Sequence, residues 1–190
     1  RNASYTERMN ALDALISLSD PSLKDISAEI AHDEQQWPDS IARGAISRLF
    51  PNHISIQQLC QVLGRLEEEK HNIGDLSWQL SYLITDTKLN KASLVEFRDE
   101  LVRLVSDGLH WDEEWKPFSC DRPHLSGALA AICLRGLSLE TSSAWLSASV
   151  LALRVQDREY SSDEAHKELR VRLKNLTADE NELLFWAEDS

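Results

Sequence analysis

The stretch Leu49-Phe50-Pro51-Asn52-His53-Ile54-Ser55-Ile56-Gln57-Gln58-Leu59-Cys60-Gln61-Val62-Leu63-Gly64-Arg65-Leu66 decides the fold class of this chain. Ile56, Leu59, Cys60, Leu63 and Leu66 recur at helical spacing, so one face of the segment is apolar and the other carries glutamines. Ser55 stands three residues before Gln58, and Ile54 stands five before Leu59. A serine followed at the third position by glutamine, with an apolar residue on either side of the start, is a capping box with a hydrophobic staple. The spacing therefore predicts a helix from Ser55 to Lys70. Pro51-Asn52-His53 breaks the chain before it, after a shorter helix over Ile41 to Phe50. A second break at His71-Asn72-Ile73-Gly74 precedes another short helix, Asp75 to Thr85, with Leu76, Leu80, Leu83 and Ile84 on one face.

The same grammar extends outward in both directions. Ser4 and Glu7 open a first helix carrying Met9, Leu12, Leu15, Ile16 and Leu18. Asp20-Pro21-Ser22 ends it and starts a second, with Leu23, Ile26 and Ile30, which stops before Trp37-Pro38. Ser93 with Glu96 predicts the start of a sixth helix, striped by Leu94, Phe97, Leu101, Leu104 and Val105, with Asp99 and Arg103 as an i,i+4 pair on its wet side. A seventh helix is expected over about His124 to Leu134, and an eighth, almost wholly small and apolar, over Thr141 to Arg154. Ser161/Glu164 and Thr177/Glu180 are further capping boxes for helices nine and ten. No segment of useful length alternates with period two. The fold class is all-α.

Ile41 to Leu66, Leu76 to Leu104 and Leu125 to Leu151 each read as a short helix, a connector and a longer helix. Degenerate helix-pair repeats of this kind predict stacked hairpins, an irregular α-solenoid of the HEAT or armadillo type running as a single array over residues 1–190. A globular helical bundle is the competing architecture. Leu59, Leu63, Leu80, Leu83, Phe97, Leu101, Leu129, Ile132, Leu146 and Leu173 are the expected core.

Bulk properties narrow the function. Hydrophobic residues at 42% and charged residues at 27% describe a folded chain. A formal net charge of -12 disfavours direct nucleic-acid binding, which requires the neutralisation of phosphates. Cys60, Cys120 and Cys133 form no C-x-x-C pair and are odd in number, which suits free thiols in a reducing cytoplasm. The longest apolar run, Leu125 to Leu139, is interrupted by Arg135 and falls short of a membrane span. Arg1 in the first position leads us to expect a segment of a longer protein.

Leu49-Phe50-Pro51-Asn52-His53-Ile54-Ser55, followed by Asn72-Ile73-Gly74-Asp75, resembles a helical region found after the nucleotide-binding domain of large bacterial NTPases of the NACHT/STAND type. In that family the region reads roughly leucine, aromatic, proline, two residues, leucine, serine, with a small turn some way on. The resemblance is clearest over Asp39 to Leu104. It implies a helical arm of a signal-transducing, often antiviral, ATPase. The chain has no Walker A glycine-lysine motif, so no catalytic residue carries over.

The expected function is accordingly a non-enzymatic scaffold or sensing segment, without cofactor or metal, that contacts a protein partner or other domains of its parent chain. The most suggestive cluster is His110-Trp111-Asp112-Glu113-Glu114-Trp115, within a long acidic and aromatic break over 106–123 that reads as a hinge or insertion loop. Trp111, Trp115, Phe118, Asp112, Glu113 and Glu114 are its candidate partner contacts, since exposed tryptophans are costly unless packed or bound. The alternative is a metal-dependent or enzymatic role for the His110 to Glu114 group, or a stand-alone helical adaptor. His32-Asp33-Glu34 reads as a wet helix end. Lys167, Arg170, Arg172 and Lys174 read as the solvated face of the ninth helix, opposite Ala165, Leu169, Leu173 and Leu176.

Overall fold

Local capping sets several of the helix starts. In a computed structural model describing residues 3–33, 35–66, 76–86, 88–110, 119–155 and 164–188, Ser4 caps α1 (Tyr5–Leu18): the Ser4 N–H donates to Glu7 Oε2 at 2.7 Å and the Glu7 N–H to Ser4 Oγ at 3.4 Å. Ser55 and Gln58 do the same for α4 (Ile56–Arg65), at 3.0 and 3.1 Å. Between them lie α2 (Leu23–His32) and α3 (Asp39–Leu49). Helix α4 stops at Arg65, with Leu66 already extended, short of the expected Lys70; residues 67–70 and the Ser161 half of the ninth helix's box lie outside the described residues.

The chain divides into two units, Arg1–Asn72 and Ile73–Ser190. In the first, α2 packs on α4 and α1 on α3. The apolar face of α4 is buried through Ile56, Leu59, Cys60, Val62 and Leu63, while Gln57 and Gln61 stay exposed. Polar side chains then bind the connectors to the helices. The Arg65 Nη2 donates to the carbonyls of Ile30 (2.8 Å) and Trp37 (3.1 Å), and the Arg8 guanidinium lies 5.7 Å over the Trp37 ring. Arg48 pairs with Asp13 at 2.9 Å, joining α3 to α1.

The second unit contains α5 (Leu76–Asp86), α6 (Lys91–Ser106), β1 (Leu109–His110), β2 (Ser119–Cys120), α7 (Ser126–Leu139), α8 (Ser143–Arg154), α9 (Glu164–Lys174) and α10 (Ala178–Glu188). A 3-10 turn, Pro123–Leu125, leads into α7. Helix α7 contacts α5, α6, α8 and α9, and ten of its residues are buried. Its small side chains make this possible: Ala128, Ala130, Ala131 and Gly136 are all buried, and Gly136 leaves room for the Trp145 indole. In both units the principal helix contacts join elements no more than two apart in chain order, apart from the turn before α7.

Three expectations need correction. Helix α6 starts at Lys91, not Ser93, because the Asn90 side chain accepts the Ser93 N–H at 2.9 Å and so takes the N-cap position. Helix α7 runs to Leu139, beyond the expected Leu134. The break over 106–123 begins and ends on a short antiparallel ladder, Leu109 opposite Cys120 and His110 opposite Ser119, where only loop was expected. Of the ten expected core residues, eight are buried, and Leu83 and Leu173 are half-buried.

Candidate functional site

A groove of about 470 Å³ opens on the second unit between α6 and α8, with β1 at one edge. Helix α8 supplies its floor: Ala144, Ser147, Ala148 and Leu151 follow one another at the i, i+3, i+4, i+7 positions of one helical face. Val102 from α6 and Leu109 from β1 complete an apolar wall. Arg98, Asp99 and Arg154 place the charges. Cavities of this size, mostly apolar with a few converging polar groups, are the usual form of a binding site.

Arg98 is a charge held inside the fold. Its position, four residues after Leu94 and three before Leu101, puts it in the buried stripe of α6, and its side chain is only 11% exposed. A buried cation is costly unless it is paired. Here the guanidinium lies 4.4 Å over the face of Trp145, and its Nε and Nη2 donate to Asp99 Oδ1 at 2.8 and 2.6 Å. Trp145 is itself 1% exposed and rests against Gly136 of α7, where a Cβ would lie 2.5 Å from the indole ring. A glycine, an indole and a guanidinium are thus stacked from α7 through α8 to α6.

Cys133 of α7 is buried within range of the Arg98 charge. Burial pushes its thiol up to about 12, against a hydrogen bond to Ser149 and the charge of Arg98, which both act to lower it. As a neutral thiol it is a small apolar side chain.

A second polar junction ties the last three helices together. Glu180 receives Arg172 Nη2 at 2.6 Å, the Thr141 hydroxyl at 2.6 Å and the Thr177 N–H at 2.8 Å. The Arg172 contact, then Thr141, then Thr177, hold the Glu180 carboxyl down at about 2. The Thr177/Glu180 box is formed, as its spacing implies. Arg172 is half-buried at this junction, and so does not belong to the solvated basic face expected for α9.

Of the residues singled out in the sequence, Trp111, Asp112, Glu113, Glu114, Trp115 and Phe118 lie outside the described residues. His110 is exposed at the end of β1, and its Nε2 lies 2.6 Å from Asp121 Oδ2. Among the described residues, no group of three or more His, Cys, Asp or Glu side chains is placed to hold a metal ion, and no helix is long and apolar enough to cross a membrane. Asp33 accepts the Gln36 N–H at 3.0 Å at the end of α2, where His32 is exposed; Glu34 lies outside the described residues. The expected Asp99–Arg103 pair is not the one formed. Arg103 pairs with Glu100 at 2.8 Å and Asp107 at 3.3 Å, while Asp99 turns to Arg98. The sequence did hold a signal for the groove, an arginine inside the apolar stripe of α6.

No family model, curated protein or solved structure matches this chain.

Proposed function

We propose that this chain is a non-enzymatic helical interaction segment, an irregular array of stacked hairpins, that binds a protein partner or another domain of its parent chain through the groove between α6 and α8. The observation that carries the reading is the groove itself: an apolar floor of helix-spaced small residues beside a buried, stacked arginine. Stacked hairpins work by shape. Binding along one face biases neighbouring elements without any chemistry at the site. The parent in this reading is a signal-transducing bacterial NTPase of the NACHT/STAND type, with its nucleotide-binding machinery outside the segment. That proposal rests on the Leu49–Ser55 and Asn72–Asp75 resemblance.

The test is site-specific crosslinking in the longer protein. A photoreactive amino acid at Ser147, inside the groove, is expected to give one dominant product, whose yield falls when Ala144→Trp fills the groove. A crosslinker at exposed Lys24 serves as the control. The same products from both positions, insensitive to Ala144→Trp, would refute the assignment.

A further inference from the structure

One side chain outside the groove reaches both helices that form it. Helix α7 gives way to extended backbone at Glu140, φ -158° and ψ 146°, just before α8 begins at Ser143. There the Glu140 carboxylate pairs with Lys91, the first residue of α6, and accepts a hydrogen bond from Trp145 in the first turn of α8. Tryptophan has a single side-chain donor, so it is the indole Nε1–H that meets the carboxylate. Lys91 above all, and then Trp145 and the charge of Arg98, hold the Glu140 carboxyl below its ordinary value against partial desolvation. The group is therefore a carboxylate at neutral pH.

These contacts make a relay that ends in the groove. The indole whose N–H meets Glu140 carries the Arg98 guanidinium 4.4 Å over its ring. A negative acceptor on the N–H pushes electron density into the ring, and a richer ring face holds a cation more tightly. The two contacts therefore reinforce each other, while Asp99 Oδ1 takes Nε and Nη2 of the same guanidinium. The ends of the relay differ in exposure. The Lys91 and Glu140 side chains are 60% and 40% exposed, so their ion pair alone adds little stability. Trp145 is 1% exposed, among side chains packed too closely for its ring to turn freely.

On the docking role proposed for the groove, we infer that Glu140 is its positioning residue: through the Trp145 indole it fixes where the Arg98 guanidinium stands. Three variants separate this from a plain tie between α6 and the α7–α8 connector. Lys91→Ala removes the ion pair and leaves the carboxylate on Trp145. Glu140→Ala removes both contacts. Lys91→Glu with Glu140→Lys restores an ion pair but sets an ammonium, which has no acceptor, at the indole N–H. NMR of nitrogen-labelled tryptophan and arginine side chains reads the relay directly. The Trp145 Nε1–H and Arg98 Nε–H signals should move in Glu140→Ala and in the swapped pair, and stay close to wild type in Lys91→Ala. Crosslinking from the photoreactive residue at Ser147 reads the groove. Its yield should fall at least about threefold in Glu140→Ala and in the swapped pair, the scale of a modest cation–π contact, and Lys91→Ala should keep most of it. Rescue by the swapped pair, or equal losses in Lys91→Ala and Glu140→Ala, would reduce Glu140 to a tie between helices and overturn the inference. Unmoved indole and arginine signals in Glu140→Ala would overturn it as well. A wild-type protein with no Ala144→Trp-sensitive product at Ser147 would overturn the docking role instead, and the NMR comparison would still decide whether Glu140 positions Arg98.

Discussion

Helices α4 and α7 solve the same problem, burying apolar surface, in opposite ways. Helix α4 buries one face of large residues, Ile56, Leu59, Val62 and Leu63, and leaves Gln57 and Gln61 wet. Helix α7 meets four other helices and has almost no wet face, and it manages this by being small: Gly127, Ala128, Ala130, Ala131 and Gly136. The number of neighbours sets the residue size. Where one partner covers a helix, wide side chains fill the gap. Where four do, small residues are set among its own Leu129, Ile132 and Leu137, and further large groups come from outside, as Phe97 and Trp145 do.

The largest expected effects come from emptying each core. Phe97→Ala on the α7 side should cost about 3–5 kcal/mol, and Leu63→Ala on α4 about 2–5 kcal/mol. Both side chains are buried, Phe97 at 0% and Leu63 at 2% exposed. Native-state hydrogen exchange can locate each loss: amides of α6–α8 should lose protection in the first variant, and those of α2 and α4 in the second. A loss of under about 1 kcal/mol in either would mean that the site is not packed as described.

Overpacking should separate the two helices more sharply. Gly136→Ala places a methyl group against the Trp145 indole, at a cost of about 1–3 kcal/mol. The gain in helix propensity, about 1 kcal/mol, offsets only part of this. In a Trp145→Leu background, where the clash partner has gone, the same Gly136→Ala change should cost less than it does in wild type. On α4, Gln61→Leu adds more volume at an exposed position and should stay within about 0.5 kcal/mol of wild type. Thermal melts of these proteins check the contrast, and equal costs at Gly136 and Gln61 would erase it.

What the sequence made legible follows from the range of the interactions. The capping boxes at Ser4, Ser55 and Thr177 close within four residues, so their spacing alone reports them. The start of α6 was misplaced for the same reason: Ser93/Glu96 has the spacing of a box, but Asn90 offers its oxygen first. Periodicity exposed α4, whose two faces differ, and blurred the end of α7, whose faces do not. The ladder of Leu109 with Cys120 spans a segment of the chain that no local pattern links. Arg98 was visible as a charge at a core position, yet its partners, the Trp145 ring on α8 and its own neighbour Asp99, are set by packing. Leu83 and Leu173 hold stripe positions but are only half-buried, because periodicity identifies a face and not how completely it is covered.

Acid should weaken the α8–α9–α10 junction in a defined window. The Glu180 carboxyl is held at about 2, below its ordinary 4.5, by Arg172 first and then by Thr141 and Thr177. A depressed carboxyl contributes its full stabilisation above the unfolded value and loses it as pH falls toward the folded one. The loss should therefore run from about pH 4.5 down to about pH 2. Glu180→Gln should lower the melting temperature at pH 7 and flatten its fall over that window. An unchanged slope would show that the acid sensitivity arises elsewhere.

The smallest expected effect tests the end of α1. Ser19 sits at φ 50°, ψ 43°, in the left-handed region, and closes the helix with its own N–H on the Ile16 carbonyl and the Asp20 N–H on the Leu15 carbonyl. That is a Schellman closure, in which glycine is the usual residue at this position. A side chain held left-handed costs about 1–2 kcal/mol, and glycine removes that cost while losing about 0.5–1 kcal/mol of backbone entropy on folding. The two terms leave Ser19→Gly ahead by a net gain of about 0.5–1 kcal/mol. Ser19 is exposed, so no packing contact is lost with its hydroxyl. Denaturant midpoints of Ser19→Gly and Ser19→Ala measure it: glycine should raise the midpoint, and alanine should leave it unchanged or lower it. If both shift together, the left-handed geometry at Ser19 is not what limits this helix end, and the closure is held by the Leu15 and Ile16 carbonyls alone.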